Sequence, residues 1–344
     1  MLISFKPFAA AAACVGLLAA APALADTRLT GSGASFPFPL YAAWFKDFGG
    51  KSDGVTVDYQ SKGSGAGIQD LINGVVDFAA SDAAMTDEEM AQVEGGAVLL
   101  PMTAGEIVLA YNLEGVEELR LPRDVYPDIF LGNITNWNDE RIAAANDGVE
   151  LPDLPITVVA RSDSSGTTFN FTSHLADISE AFAAGPGAGK TVEWPASDKI
   201  IKAPKNDGVT ATIMQTPGAI GYIEYGFAKL TGTPMASLEN AAGNFVATGS
   251  EAGAAALATA EFDEHMRAFI IDPAGDDAYP IATFTWMLFY ESGQDAETVA
   301  AIQEMIEYSL TDGQAMAEEL GYIPMPEAVI EQVREAAQRI GASS

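Results

Sequence analysis

The segment from Arg161 to Thr168 has the residue types of an anion-binding turn. It follows an apolar, β-branched run at 156–159 and precedes a helix-like pattern, so a strand, a polar turn and a helix start are expected in succession. A helix that begins here would direct free backbone N–H groups and its positive dipole end at whatever lies before it. Four hydroxyl groups add donors, Gly166 allows close backbone approach, and Arg161 carries a planar cation. The segment therefore predicts a site for a small oxyanion.

Two other loops share this design, in which extended chain leads to Gly and Ser and then to a helix pattern. They are residues 31–36 and residues 62–67. Because Ser, Thr and Gly cap helices routinely without any ligand, either loop alone is weak evidence for binding. Three such loops with one Arg favour helix N-termini that converge on a cleft, where an anion can bind without a net positive charge.

The rest of the chain must supply elements that carry these loops. Strand-like segments at 55–59, 106–111, 156–159 and 219–223 alternate with helix-like segments. This alternation predicts an α/β fold with mainly parallel sheets. Further helices are predicted at 251–268, 297–311 and 326–338, and an apolar helical stripe follows the first loop at Leu40, Tyr41, Trp44, Phe45 and Phe48.

The first 25 residues have the pattern of a secretory signal peptide. Lys6 precedes an apolar stretch, and Ala23, Leu24 and Ala25 form a cleavage pattern of small residues. We expect cleavage after Ala25 and a periplasmic product. The only cysteine, Cys14, lies in this segment, so the mature chain is expected to contain none.

Acidic residues far outnumber basic ones, 48 to 17, for a formal net charge of −31. Nucleic acid and anionic membrane surfaces are poor partners for such a chain. With 48% hydrophobic residues the protein can bury a core without disulfides, and its 344 residues suit two domains. We expect a monomer that binds no nucleic acid.

Six segments, in order along the chain, resemble those of the periplasmic phosphate-binding proteins of bacterial phosphate ABC transporters. The resemblance implies a two-lobed periplasmic binding protein fold of type II, in which each lobe is a mainly parallel sheet flanked by helices and the ligand lies between the lobes. It implies lobe 1 at 26–104 plus 275–344 and lobe 2 at 105–274. It also implies two partners, inorganic phosphate and an inner-membrane ABC permease. The six segments are 30–37, 59–65, 76–82, 132–137, 161–168 and 217–222.

The same resemblance implies which residues contact phosphate. Phe36 and Gly166 would act through backbone N–H groups, and Asp163 would pair with the binding Arg. Ser35 stands where Thr is common, which keeps the hydroxyl. Gly65 and Ala66 stand where a second Ser and a Gly are common, which affects only the secondary contacts of that loop. The implied phosphate ligands are Ser35, Phe36, Ser64, Asp82, Arg161, Ser165, Gly166 and Thr167.

Asp82 would be the residue that chooses among oxyanions. An ionised Asp only accepts hydrogen bonds, and hydrogen phosphate has a proton to donate whereas sulfate has none. With sulfate, two negative groups would face each other without a bond. The residue taken alone also allows another interpretation, in which Asp82 caps the helix that Thr86 and the acids after it begin. Arg161 likewise could simply form a surface pair with Asp163.

A phosphatase or hydrolase with a Ser nucleophile is the main alternative to a binding protein. The only histidines, His174 and His265, stand in no recognisable base position, and neither a Gly-x-Ser-x-Gly elbow nor a His-Glu-x-x-His motif occurs. We therefore expect no enzyme activity, no cofactor and no metal, and a structural or surface role for both histidines. A receptor for another oxyanion is the second alternative, and Asp82 argues against sulfate and molybdate.

Overall fold

The computed structural model describes Met1 and residues 27–341. The predicted signal peptide, residues 1–25, lies outside the described residues apart from Met1. Within the described range, no helix combines the length and the apolar character needed to cross a membrane.

Strands and helices alternate along the described residues, which confirms the predicted α/β class. In chain order the strands are β1 (Thr27–Gly33), β2 (Val55–Ser61), β3 (Phe78–Ser81), β4 (Ala97–Tyr111), β5 (Arg120–Leu121), β6 (Thr157–Arg161), β7 (Ile200–Ala203), β8 (Ala219–Glu224), β9 (Ser237–Glu239), β10 (Phe245–Val246) and β11 (Ala282–Tyr290). The helices are α1 (Phe38–Lys51), α2 (Ser64–Ile72), α3 (Asp87–Met90), α4 (Tyr126–Leu131), α5 (Glu140–Ala143), α6 (Gly166–Ile178), α7 (Glu180–Ala184), α8 (Lys205–Gln215), α9 (Tyr225–Thr231), α10 (Ser250–Leu257), α11 (Ala296–Leu310) and α12 (Glu327–Ala337), with a 3-10 helix at Asp312–Met316.

The largest sheet contains two parallel groups joined by antiparallel strands. Its order is β2-β1-β3-β11-β4-β8-β6-β7, in which β2, β1 and β3 are parallel, as are β8, β6 and β7. The long strand β4 joins the groups, because it pairs with β11 up to Glu106 and with β8 from Ile107 onwards. The two groups are therefore joined through β4, and each is the kind of parallel sheet that the resemblance implied for one lobe.

The parallel groups decide where the predicted loops lie. In one group β1, β2 and β3 end at Gly33, Ser61 and Ser81, and in the other β6 and β7 end at Arg161 and Ala203. Because the carboxyl ends of parallel strands lie at one edge of a sheet, each group gathers its polar loops at one place.

Helix α1 holds the first loop in position through its buried face. The predicted apolar stripe is confirmed, since all five of its members are at most 6% exposed. Burial of a large apolar side chain contributes about 1.5–3 kcal/mol, so this face fixes the helix firmly on the sheet. The stripe consists of Leu40, Tyr41, Trp44, Phe45 and Phe48.

The helix predicted at 251–268 is shorter than expected, whereas those predicted at 297–311 and 326–338 are confirmed within one residue as α11 and α12. Helix α10 ends at Leu257. Beyond it, the Asp263 carboxylate accepts the backbone N–H groups of His265 and Arg267, both at 2.9 Å, and Met266 has a φ of 57°. Such side-chain to backbone bonds and a left-handed residue form a turn that excludes a continuous helix.

Glu106 is a buried carboxyl at the point where β4 changes partner. The residue is only 1% exposed, and its Oε2 accepts the backbone N–H of Gly249, just before α10, at 2.9 Å. Burial raises the pKa of Glu106 from 4.5 to about 8, with backbone hydrogen bonds from Gly249 and Gly253 opposing the shift. The folded protein therefore retains a proton that the unfolded chain releases.

This raised pKa predicts a stability that falls as the pH increases. Because the folded-state value exceeds the unfolded one, the contribution is complete below about pH 4.5 and is lost as the pH rises towards 8, by an amount on the order of 4 kcal/mol. We expect Glu106→Gln to weaken this dependence, so that its melting temperature falls less than that of the unsubstituted protein between about pH 5 and pH 8. The exposed Glu251 of α10 supplies the control Glu251→Gln. If the melting temperatures of all three proteins fall equally with pH, Glu106 does not retain its proton.

Candidate functional site

Three predicted site residues follow the carboxyl ends of the first parallel group. They are Ser35, Ser64 and Asp82, and each is at most 2% exposed. Phe36 lies beside Ser35 and is fully buried. Ser64 is the first residue of α2, after Gly63 with a φ of 98°, a left-handed conformation that glycine adopts at little cost. The first half of the site is thus a set of buried polar groups at one sheet edge.

The remaining predicted residues lie in the turn between β6 and α6. Arg161 ends the strand, and Ser165 caps the helix, because its Oγ accepts the backbone N–H of Thr168 at 3.1 Å. Gly166 and Thr167 form the first turn of α6, and both are buried. The predicted strand, turn and helix start are confirmed, so the positive end of a helix dipole lies at this turn.

The structure brings these two sets of loops into direct contact. The backbone N–H of Gly166 donates to Ser64 Oγ at 2.9 Å, although the two residues are 102 positions apart. The backbone N–H of Gly65 donates to the Ser164 carbonyl at 3.1 Å. A Cβ atom on Gly166 would lie 2.6 Å from the backbone nitrogen of Ala83. Only a residue without a side chain permits this approach.

Gly65, a departure from the family pattern, is matched by Ser164 on the facing loop. A Cβ atom at Gly65 would lie 2.1 Å from Ser164 Oγ and 2.5 Å from its Cβ. A serine at position 65 would therefore overlap with Ser164, which already places a hydroxyl there.

Asp82 is surrounded by hydroxyl donors from three elements. Thr285 Oγ1 donates to Oδ1 at 3.2 Å, whereas Thr167 Oγ1 and Ser64 Oγ donate to Oδ2 at 3.3 and 3.4 Å. Burial raises the pKa of Asp82 to about 6, while the charge of Arg161 and these hydroxyl bonds oppose the shift. All three bonds are longer than the usual O–H···O distance of about 2.7–2.8 Å. The carboxylate is buried and only weakly satisfied.

The structure rejects the interpretation of Asp82 as a helix cap. Thr86 caps α3 instead, because its Oγ1 accepts the backbone N–H of Glu89 at 3.2 Å and Glu89 Oε2 accepts the backbone N–H of Thr86 at 3.0 Å. This reciprocal pair is a capping box. The Asp82 side chain is directed to the hydroxyl groups and takes no part in it.

Arg161 and Asp163 form a bidentate pair in which Arg161 is buried and Asp163 is half-buried, so it is not a surface pair. Nε and Nη2 of Arg161 donate to the two Asp163 oxygens at 2.9 and 2.6 Å, and the Arg161 side chain is 1% exposed. Burial opposes ionisation of Asp163, but its bonds to Arg161 and the charge of that residue outweigh burial and hold its pKa below the ordinary value. Within the described residues, nothing accepts a bond from the buried Nη1 of Arg161. One N–H₂ group of the guanidinium is available for a ligand.

Four polar residues at the site were missed in the sequence. Thr285 contacts Asp82, and Asn170 Nδ2 donates to the Asp82 carbonyl at 2.7 Å. The Tyr222 hydroxyl accepts the backbone N–H of Arg161 at 3.1 Å. Asn206 bonds to two hydroxyls. Because it precedes Asp-Gly, a pattern typical of a turn, the sequence did not indicate a role in the site. For Thr285, the one sequence signal was that a hydroxyl residue stands within the mostly apolar strand β11.

His174 has a structural role, in agreement with the sequence. It lies inside α6 and is 1% exposed, with Nε2 at 2.7 Å from the Tyr126 hydroxyl. Burial lowers the pKa of His174 to about 3, so the ring is neutral at physiological pH. His265 lies in the turn after α10, where its backbone N–H is bound by Asp263.

Comparison with known proteins places the chain in an established group. Residues 19–312 match the family described as the PBP superfamily domain. Over 310 residues the chain is 38% identical to the phosphate-binding protein PstS of Pasteurella multocida, covering 89% of this chain and 88% of that protein. It is 35% identical over 312 residues to the protein of the same name from Xylella fastidiosa, covering 90% and 84%.

Similarity to solved structures confirms the predicted two-lobed fold. A high-affinity periplasmic phosphate-binding protein, solved with bound phosphate, matches with a TM-score of 0.74 and 20% identity over 90% of this chain and 93% of that one. A phosphate-binding protein from Stenotrophomonas maltophilia matches with a TM-score of 0.70, also at 20% identity, over the same shares of the two chains.

The close approach at Gly166 predicts a large effect of a single methyl group. We expect Gly166→Ala to lower the free energy of unfolding by about 1–3 kcal/mol, because the added Cβ must push Ala83 and Ser64 away. Gly50→Ala is the control, since a Cβ at this exposed helix position meets nothing within 4 Å and should cause no loss. Urea unfolding of both variants measures the difference. A Gly166→Ala protein as stable as the control would mean that the loops do not meet as described.

Proposed function

This chain belongs to the phosphate-binding protein PstS family, and we propose that it binds inorganic phosphate in the periplasm and delivers it to an ABC permease of the inner membrane. The observation that carries the proposal is the contact of the α6 N-terminus, through Thr167, with a buried acceptor, Asp82, on which the charge of Arg161 also acts. The Nη1 group of Arg161 has no partner of its own among the described residues. Donors alone suit any oxyanion. An acceptor among them suits an oxyanion that still carries a proton.

The proposed ligand set has few charges and many neutral donors. Ser64 and Thr167 now donate weakly to Asp82 and would turn to the phosphate oxygens. Phe36 and Gly166 would contribute backbone N–H groups. Because Asp163 already balances much of the charge on Arg161, binding would depend mainly on hydrogen bonds and the helix dipole. The full set is Ser35, Phe36, Ser64, Asp82, Arg161, Ser165, Gly166 and Thr167.

Asp82 would supply the selectivity. With hydrogen phosphate it accepts a charge-assisted bond, which contributes about 1.5–3 kcal/mol. With sulfate it faces an unprotonated oxygen in a buried site, so the like charges repel without compensation. The energy difference between a gained bond and an uncompensated contact corresponds to several powers of ten in affinity, since about 1.4 kcal/mol equals a factor of ten. This argument also disfavours the alternative of a sulfate receptor.

The proposal includes closure of two lobes, with lobe 1 at 26–104 plus 275–344 and lobe 2 at 105–274. The change of partner within β4 between Glu106 and Ile107 supports a hinge at this place. Contacts between the proposed lobes support a closed arrangement, since Gly166 bonds to Ser64 and Lys190 forms an ion pair with Glu89. Release to the permease would require these contacts to open. A monomer suffices, because both walls of the site come from one chain.

We propose no catalytic turnover. The relatives are named as binding proteins, and Ser165 Oγ already accepts the Thr168 N–H as a helix cap. Neither histidine is in hydrogen-bond contact with Ser165 among the described residues. A Ser nucleophile requires a base within about 2.6–3.2 Å.

Calorimetric titration of phosphate-stripped protein tests the proposal. We expect phosphate to bind at least a hundredfold more tightly than sulfate. Asp82→Asn should weaken phosphate binding by about ten- to a hundredfold, the equivalent of one charge-assisted bond. It should also strengthen sulfate binding, because an amide can donate to sulfate.

The exposed Asp53 provides the control Asp53→Asn, which should leave both affinities unchanged. If stripped protein binds no phosphate, the proposed function is wrong. If it binds phosphate but Asp82→Asn leaves the ratio of the two affinities unchanged, the proposed source of selectivity is wrong.

A further inference from the structure

Asn206 lies at the centre of the site, but it does not belong to the ligand set that the resemblance implies. It is the second residue of α8 and is fully buried. Its backbone N–H and its Nδ2 both donate to Ser35 Oγ at 3.1 Å. Nδ2 also lies 3.3 Å from Thr167 Oγ1, and Oδ1 accepts the backbone N–H of Glu224 at 3.0 Å. One side chain therefore links β8 to hydroxyls from both walls of the site.

The orientation of the Asn206 amide follows from its partners. The backbone N–H of Glu224 can only donate, so the atom that faces it must be the amide oxygen. The NH₂ group then faces Ser35 and Thr167. The opposite orientation would bring two donors together at Glu224 and leave a buried amide group without a bond.

This orientation restricts what the two hydroxyls can do. A hydroxyl has one proton to donate and two lone pairs that accept. Ser35 Oγ receives two bonds from Asn206, which fills its lone pairs and leaves only its proton for another partner. Thr167 Oγ1 receives one bond from Asn206 and donates to Asp82. Both hydroxyls are thereby made into donors, the role that an anion requires.

We infer that Asn206 is a positioning residue for phosphate: it orients the Ser35 and Thr167 hydroxyls so that they donate to the ligand, without needing to touch the ligand itself. The inference depends on the proposed phosphate function. It explains how hydroxyl groups, which can either donate or accept, act as dedicated donors in a buried site. It also explains why an aspartate would not serve, since its carboxylate would draw both hydroxyl protons away from the ligand and add a charge near Asp82.

A double-mutant cycle separates this role from simple support of α8. Phosphate affinities are measured by calorimetry on stripped protein for Ser35→Ala, Asn206→Ala and the combination. If Asn206 acts through Ser35, each single substitution weakens binding by about tenfold and the double variant is far less than a hundredfold weaker. If Asn206 only supports the helix, the two effects multiply to about a hundredfold, which overturns the inference.

Two further variants make the test decisive. Asn206→Asp keeps the shape of the side chain and should weaken phosphate binding more than Asn206→Ala does. Equal or tighter binding would contradict the inference. Asn206→Asp also replaces Asn206→Ala in the cycle if the alanine variant melts below the assay temperature.

The control Thr210→Ala removes a different bond to Asn206, in which Thr210 Oγ1 donates to the Asn206 carbonyl at 2.8 Å. It should leave the affinity unchanged. Phosphate binding by the unsubstituted protein is measured alongside, so failure of the proposed function is recognised separately.

Discussion

The carboxylate of Asp82 lies in a place that water does not reach, and a buried charge must be matched by donors or it loses its proton. The donors come from three separate elements, with Ser64 on α2, Thr167 on α6 and Thr285 on β11. Each bond is long, so the carboxylate attracts further donors and keeps a pKa of about 6. A ligand that carries its own proton can donate the additional hydrogen bond that this carboxylate needs. The rest of the site is arranged around that one requirement.

The shared sheet explains how so many elements reach one carboxylate. Each parallel group ends its strands at a single edge, and β4 holds the two edges in relation to each other because it pairs with both groups. Helices α2 and α6 then begin at these edges, so that their first N–H groups face the site. Under the proposed hinge within β4, opening for release would separate the two sets of donors, and each parallel group would keep its own set in place.

The same design reconciles an anion site with a net charge of −31. The cation Arg161 is paired with Asp163, so in the proposed site the attraction for an anion would come mainly from dipoles and hydroxyls that act over short distances. Surface acids further than about 8–10 Å from the site are largely screened by salt and contribute little once the anion is buried. Acidity of the surface and affinity for an oxyanion are therefore set by separate parts of the molecule.

Sequence patterns were enough to predict the α/β class, the loops at strand ends and the strand, turn and helix start at Arg161, because capping and helix dipoles depend on residues within a few positions of each other. Local rules failed for the helix predicted at 251–268, where contacts of Asp263 impose a turn. Pairing of strands that are distant in the sequence brings Thr285 to Asp82 across 203 positions and Asn206 to Ser35 across 171, and no local pattern shows either contact. Whether a hydroxyl or an amide serves a site depends on which strands lie side by side, and this is a property of the sheet and not of the neighbouring residues.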